Sequence, residues 1–433
     1  MSNPTKKALK PLEQALTELL AQARPLAGSD SVNTLDADGR VLLKDAISPL
    51  QVPPQDNSAM DGYALRCADA AQPGALLPVT QRIPAGSVGQ PLQPGTAARI
   101  FTGAPVPPGA DAVVMQEDCQ ALPGPQGDPQ ADPPWGSVRV QQPPVLGQNI
   151  RRAGEDIRLG ASVLAAGTRL TPAALGLAAS IGLAQLPVAR RPRVALFSTG
   201  DELVMPGQIA PEQMPPGAIY NSNRFFLRAL LQRLGCEVSD LGLVPDRLEA
   251  TVSALRQAAS GHDLIVTSGG VSVGEEDHVK PAVQSLGRLD LWAIAIKPGK
   301  PFAYGRVWAE GQAGQAQQPA GGAHFIGLPG NPVSSLITFA LLVRPFVLRL
   351  QGVADVAPRC IKARAAFAWG KVDQRREFLR VKLNAQGELE LFRNQSSGVL
   401  TSTVWGDGLV DNPPGQLIQP GDEVRFIPFT ELL

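Results

Sequence analysis

Residues 263–277 read DLIVTSGGVSVGEED. Asp263–Thr267 is a short apolar run with β-branched side chains, the pattern of a buried strand. It ends abruptly in Ser268-Gly269-Gly270-Val271-Ser272-Val273-Gly274-Glu275-Glu276-Asp277, too rich in glycine and acid to continue a strand. Working outward, strands and helices alternate on both sides. Upstream, Arg193–Ser198 is a strand, Asn223–Leu234 a helix, Glu237–Val244 a strand and Arg247–Ala259 a helix. Downstream, His278–Leu286 is a helix and Leu289–Ile296 a strand. His324–Leu328 is a last strand, leading into a helix with Asn331 as cap and Pro332 in its first turn. This alternation predicts a doubly wound, mostly parallel sheet covered on both faces, over roughly residues 188–352.

The rest of the chain has a different texture. Residues 1–53 open with Leu9, Leu12, Leu16, Leu19, Leu20 and Ala23 at helical spacing, an amphipathic helix with no signal-peptide core. That region continues over 151–187, where Thr171, Pro172 and Gly182 frame a short helix. Residues 54–150 are turn-rich, with short apolar runs at Ala97–Phe101 and Ala112–Met115, and read as a small β domain. Residues 353–433 return to β texture, with strands at Glu377–Leu383, Glu388–Phe392 and Glu423–Pro428. The fold class is multidomain α/β plus β. The stretches Leu122–Gly136 and Glu310–Gly322 have little to bury and read as inserted loops.

Composition excludes several classes of function. Lys plus Arg equals Asp plus Glu at 39 each, so there is no broad field for nucleic acid or a membrane surface. The four cysteines form no CxxC pair and there are three histidines, which argues against a disulfide framework or a structural zinc. A reducing, cytoplasmic setting is expected. The most apolar stretch, Leu336–Val343, ends at Arg344 and reads as too short to cross a bilayer. There is no GxxxxGK[ST] loop and no Ser–His or Cys–His constellation.

In a parallel sheet, ligands bind at the carboxyl ends of the strands. Four informative loops fall there. Thr199-Gly200-Asp201-Glu202 follows the first strand, and Ser268–Asp277 the third. Lys297-Pro298-Gly299-Lys300-Pro301 follows Leu289–Ile296, and Pro329-Gly330-Asn331-Pro332-Val333-Ser334 follows the last strand. Glycines 269, 270 and 274 let backbone N–H groups approach phosphate oxygens, and Ser268 and Ser272 add hydroxyls. The Asn331 helix start presents orphan N–H groups and a positive dipole end. Lys297 and Lys300 supply cations. Asp201, Glu202, Asp246 and Asp277 gather carboxylates of the kind that hold magnesium against phosphate. Each feature has a plain structural alternative, as tight turn, solvated lysine or helix cap. Four loops together favour an anionic, nucleotide-like ligand.

These loops resemble the molybdopterin molybdenumtransferase family, which includes the C-terminal part of gephyrin. The resemblance is carried by TGDEL (199–203), SGGVSVGEED (268–277), KPGKP (297–301) and LPGNPVSS (328–335). It extends to DNSAMDGYA (56–64), RIFTGAPVP (99–107) and RAGEDI (152–157), nearly the whole chain in one order. It implies a central domain like the molybdopterin-binding adenylyltransferase fold and a C-terminal β-barrel-like domain. Residues 1–53 with 151–187 become a helical, extended dimerisation domain. It further implies a homodimer with a shared active site, magnesium, and molybdate entering adenylylated molybdopterin with release of AMP. Further partners implied are the adenylyltransferase and recipient molybdoenzymes. Carried over by position, the catalytic candidates are Asp61, Glu202, Asp246, Asp277, Lys297 and Lys300, with Glu202, Asp246 and Asp277 as metal ligands. Thr102, Asp156, Thr199, Gly200, Asp201, Ser268, Gly269, Gly270, Ser272, Gly274, Pro329, Gly330, Asn331, Pro332 and Ser334 are the substrate-binding candidates. The segment Asn394–Gly398 matches only loosely, so Arg376 and Ser397 carry less weight. Two alternatives stand beside this reading. An adenylyltransferase would lack the first, second and fourth regions, and a non-catalytic scaffold would have no use for the full set of loops.

Overall fold

A computed structural model describes residues 9–122, 124, 136–270, 278–309 and 322–433. Helix α1 (Leu12–Leu20) is the amphipathic helix expected near the N-terminus. Its Leu12, Ala15 and Leu19 are buried on one face. Strand pairing joins the two halves of the first region. Ser29–Asn33 lies antiparallel to Gln185–Ala189, and Ala46–Ile47 to Ser162–Leu164. The short helix Pro172–Ser180 starts as its sequence suggests, with the Thr171 side chain accepting from the Ala174 N–H. The second region folds on its own six-stranded sheet, in which Gly62–Leu65 is flanked by Ala97–Ile100 and Ala112–Met115.

The central region carries β1 (Arg193–Thr199), α2 (Asn223–Arg233), β2 (Glu237–Val244), α3 (Leu248–Ala259) and β3 (Leu264–Ser268). It continues through α4 (Val279–Leu286), β4 (Gly287–Ala293), β5 (Pro301–Val307) and β6 (Ala323–Leu328). The sheet order is β2-β1-β3-β6-β5-β4. The first four strands are parallel, and β5 runs antiparallel to both β6 and β4. Alternation along β1 shows why the sheet needs cover on two sides. Val194 and Leu196 enter one core with Leu227, Leu231 and Val333. Ala195 and Phe197 enter another with Leu255, Val279 and Val283.

Three sequence expectations change here. Leu289–Ile296 is not one strand. It divides into β4 and a two-residue strand, Ile296–Lys297, that joins the C-terminal sheet beside Arg376–Leu383. Strand β5 was hidden behind the prolines of the KPGKP loop and pairs back along β6. The apolar stretch also continues past Arg344. The helix runs from Pro332 to Leu350, 19 residues with mean hydropathy 1.7, long and apolar enough to cross a membrane by those measures alone. Its apolar window is 83% buried, which accounts for its composition as core. Pro345 has no N–H for the Leu341 carbonyl, and the preceding turn widens to a π-helix over Phe339–Val343.

The C-terminal region is a sheet ordered Ile296–Lys297, Arg376–Leu383, Gly408–Asn412, Glu423–Pro428, Ile361–Arg364, with Leu389–Leu391 off its path. Its Phe378, Leu409 and Ile427 pack into the same core as Ile294 and Ile296, so it sits against the carboxyl-end side of β4.

Candidate active site

A cleft of about 660 Å³ opens at the carboxyl ends of β1, β3 and β6. Of the sequence candidates, Thr199, Gly200, Glu202, Asp246, Ser268, Gly269, Gly270, Pro329, Gly330, Asn331 and Pro332 line it. They converge because β1, β3 and β6 are neighbours in parallel register, Ser198 beside Ser268 and Ser268 beside Leu328. Each strand therefore releases its loop at the same height.

Backbone shape at this rim depends on glycine at two points. Gly269 has φ +95°, and a Cβ there would lie 2.8 Å from the Thr199 carbonyl oxygen. Gly200 has φ +142°, and a Cβ there would meet Glu202 Oε2 at 2.6 Å. The Glu202 carboxylate folds back over Gly200, and any larger residue would push it away.

Other candidates are placed differently. Asp201 is exposed on the turn before Glu202, and Ser334 is buried one turn into the helix. Ser272, Gly274 and Asp277 lie outside the described residues, as do most of the two inserts. Lys297 and Lys300 do not line the cleft. Lys300 is exposed. Lys297 does not stand free beside the glycine loop. Its Nζ lies 3.0 Å from Glu377 Oε1 and 3.2 Å from Asp373 Oδ2, both in the C-terminal region. Glu377 is 1% exposed and also accepts from Trp369 Nε1 at 2.7 Å. Partial burial works against the Lys297 charge, but Glu377 and Asp373 outweigh it and raise the ammonium pKa. Asp373 is held well below the usual carboxylate range, chiefly by hydrogen bonds from Arg375, with Lys297 contributing. The helix start is also partly spoken for, since the Val333 N–H donates to the Ser397 carbonyl at 2.9 Å. Arg376 is engaged by Asp411 and Glu13, away from the cleft.

Asp61, Thr102 and Asp156 lie in the first and second regions and do not reach the cleft of this chain. Asp61 accepts from the Thr102 N–H at 2.8 Å and from its hydroxyl at 2.7 Å, which lowers the Asp61 pKa. Asp156 is exposed, and its N–H donates to the Val52 carbonyl. The ion pair in that loop is instead Arg152 with Asp56, at 2.6 Å.

Among the described residues no group of three His, Cys, Asp or Glu side chains comes together as a metal site. Glu202 and Asp246 share the cleft as a pair. The sequence reading missed the segment Ile219–Asn223, which forms one wall. Asn223 was visible only as a helix start. The polar triplet Asn221-Ser222-Asn223, opening a helix between two strands of the site, was the available signal.

Three sequence-family profiles tile the chain. That of the MoeA N-terminal region (domain I and II) matches residues 10–182. A probable molybdopterin binding domain matches 195–349, and the MoeA C-terminal region (domain IV) matches 362–429. A protein of Haemophilus influenzae named molybdopterin molybdenumtransferase is 39% identical over 430 residues, covering 98% of this chain and 99% of that protein. One of the same name from a Nostoc species is 34% identical over 413 residues, covering 92% and 88%. Among solved structures, a molybdopterin biosynthesis MoeA protein of Pyrococcus horikoshii superposes with TM-score 0.79 at 26% identity, over 97% of this chain and 100% of that one. A second solved structure, also of a Pyrococcus molybdopterin biosynthesis MoeA protein, superposes with TM-score 0.72 at 31% identity, over 98% of this chain and 99% of that one.

Proposed function

The chain belongs to the molybdopterin molybdenumtransferase family, and from that premise we propose that it takes adenylylated molybdopterin into the cleft at the ends of β1, β3 and β6 and releases AMP as molybdate enters the dithiolene. It is a transferase of molybdenum cofactor biosynthesis. The observation that carries the placement is the cleft itself. Backbone at Gly269, Gly270 and Gly330, the Ser268 hydroxyl and two carboxylates face one space of nucleotide size.

The residues divide the work by their chemistry. N–H groups of the glycine loop and the Ser268 hydroxyl bind phosphate oxygens. Magnesium commonly keeps one or two carboxylates and takes its remaining contacts from substrate phosphates and water. Glu202 and Asp246 fit that pattern, and Asp277 is the third ligand the sequence offers. Bound there, magnesium would offset charge on the phosphoanhydride. Water or a molybdate oxygen attacks phosphorus, the bond to the AMP phosphate breaks, and AMP leaves with the electron pair. Lys300, exposed next to the cleft-lining Pro301, is the lysine that draws in the dianion. Lys297 serves it only by loosening its hold on Asp373 or Glu377.

Asp61, Thr102 and Asp156 have a place in this reading if the site is shared between two copies of the chain. A preorganised Asp61–Thr102 pair on a separate sheet, half-buried at Asp61 and exposed at Thr102, supports a homodimer, and sedimentation at micromolar concentration should show one. The four free cysteines suit the cytoplasm. The adenylyltransferase that supplies the substrate and the enzymes that receive the product are the natural partners.

The test is incubation of the full chain with adenylylated molybdopterin, molybdate and magnesium. One AMP should appear per molybdenum cofactor formed. Tight binding with no turnover would favour the scaffold reading instead.

A further inference from the structure

Asn223 opens α2 at the back of the cleft and is 7% exposed. Its Nδ2 donates to Ser268 Oγ at 2.7 Å and to the Gly330 carbonyl at 2.7 Å. Gly330 fixes the orientation of the amide, because a carbonyl oxygen can only accept. The nitrogen must face it, and the same nitrogen then faces Ser268. One side chain thus ties the end of β3 to the loop after β6. The chain leaves β3 through Gly269-Gly270 and β6 through Pro329-Gly330, residues with little side chain of their own to hold them. Beyond the strand pairing that ends at Ser268 and Leu328, the Gly269 N–H also reaches the Leu328 carbonyl, at 3.1 Å.

The polarity of the serine follows. A hydroxyl has one hydrogen, and Ser268 Oγ already accepts from Asn223. Its hydrogen must point elsewhere, and the open side is the cleft. We propose that Asn223 is a positioning residue that locks the Ser268 hydroxyl as a donor to the anionic end of the substrate while holding the two phosphate loops in register. This rests on the reading that adenylylated molybdopterin occupies the cleft, and it adds a residue and a role to that reading.

Asn223→Asp keeps the shape but replaces the nitrogen with an acceptor. Ser268 then donates to the carboxylate and is lost to the substrate, and the Gly330 carbonyl is repelled. Asn223→Ala only removes the clamp and leaves Ser268 free to turn either way. A packing role predicts the reverse order, with the smaller residue doing more harm.

The experiment measures AMP release against adenylylated molybdopterin and against molybdate, in wild type, N223D, N223A, S268A and the two double variants, with thermal melts to confirm folding. N223D and S268A should each raise the half-saturating pterin concentration by about ten-fold, the loss of one charge-assisted hydrogen bond. N223A should raise it by roughly three-fold, the loss of a weaker, neutral bond. Molybdate dependence should move by less than about two-fold, the scatter of uncoupled sites. On the S268A background, either Asn223 substitution should add less than about two-fold. If N223D fails to fold, N223A in the two backgrounds reads the same coupling. An N223A effect as large as that of N223D, or an Asn223 effect undiminished on S268A, overturns the proposal. A wild-type chain that releases no AMP overturns the functional reading itself.

Discussion

The rim of the cleft and the seams around it use polar residues in opposite ways. At the rim, Glu202, Asp246, Ser268 and the glycine backbone face an open space. At the seams, polar side chains are closed on one another. Lys297 is clamped by Glu377 and Asp373, and Glu377 in turn holds Trp369. At the other end of β6, His324 sits between the Tyr304 hydroxyl at 2.9 Å and Arg306 Nη2 at 3.2 Å. Residue type does not separate the two groups, since lysines, carboxylates and hydroxyls occur in both. Access to the cleft separates them. A polar side chain enclosed between regions holds the fold together, and one that lines the open cleft at a strand end is available for chemistry.

Substitutions at the rim should therefore cost activity with little loss of stability, and those at the seams the reverse. The largest effect is expected at Glu202. Glu202→Gln keeps size and removes charge, and cofactor yield in a reconstitution assay should fall by about 10²–10³-fold, as for other lost electrostatic stabilisers. Its melting temperature should stay near that of the wild type. An unchanged yield would remove Glu202 from the site.

The second test sharpens the contrast at Lys297. Lys297→Ala leaves the buried Glu377 carboxylate without its cation. Loss of one partner of a buried pair costs up to about 3–5 kcal/mol, and the partial exposure of Lys297 reduces this to roughly 1–3 kcal/mol. Denaturant unfolding should show that loss. The half-saturating molybdate and pterin concentrations should each move by less than about two-fold, since this lysine is held by carboxylates of its own chain. A variant as stable as wild type but insensitive to molybdate would move Lys297 from seam to rim.

The third and smallest effect concerns pH. Burial, aided by the nearby Arg306 guanidinium, pushes the His324 pKa down to about 3. In the unfolded chain it is near 6.5. Between these values the unfolded chain takes up a proton that the folded chain refuses. The stabilising contribution is complete above about pH 6.5 and is lost progressively as pH falls toward 3, by at most about 1.4 kcal/mol per pH unit. His324→Gln should start less stable at neutral pH yet lose less between pH 6 and 4, measured as urea midpoints. Equal slopes in the two proteins would show that His324 does not titrate in this way.

Much of this was legible in the sequence, for reasons the same contrast explains. Glu237–Val244 and Glu423–Pro428 were bounded correctly because local apolar runs and turn residues specify them. The rim loops were legible because glycine, proline and serine at strand ends are local signals. The seams were not. Lys297 and Glu377 are 80 residues apart, and nothing near either one announces the pairing. Strand β5 was missed because its proline-flanked start looks like a loop, and only its register with β6 makes it a strand. The helix was cut short at Arg344 because an arginine reads as an end. In the structure its guanidinium reaches the Val356 carbonyl at 3.0 Å while the helix continues. Asn223 was read as a helix start because its second role depends on two loops that meet only in the folded chain.

The most direct test of the central claim is a crystal structure of the full chain with adenylylated molybdopterin and no molybdate, so that insertion cannot proceed. Phosphate density should lie in the cleft within hydrogen-bond distance of Ser268 Oγ and the Gly269–Gly270 backbone, with Glu202 beside it. Ligand bound elsewhere, with the cleft empty at saturating concentration, would contradict the account.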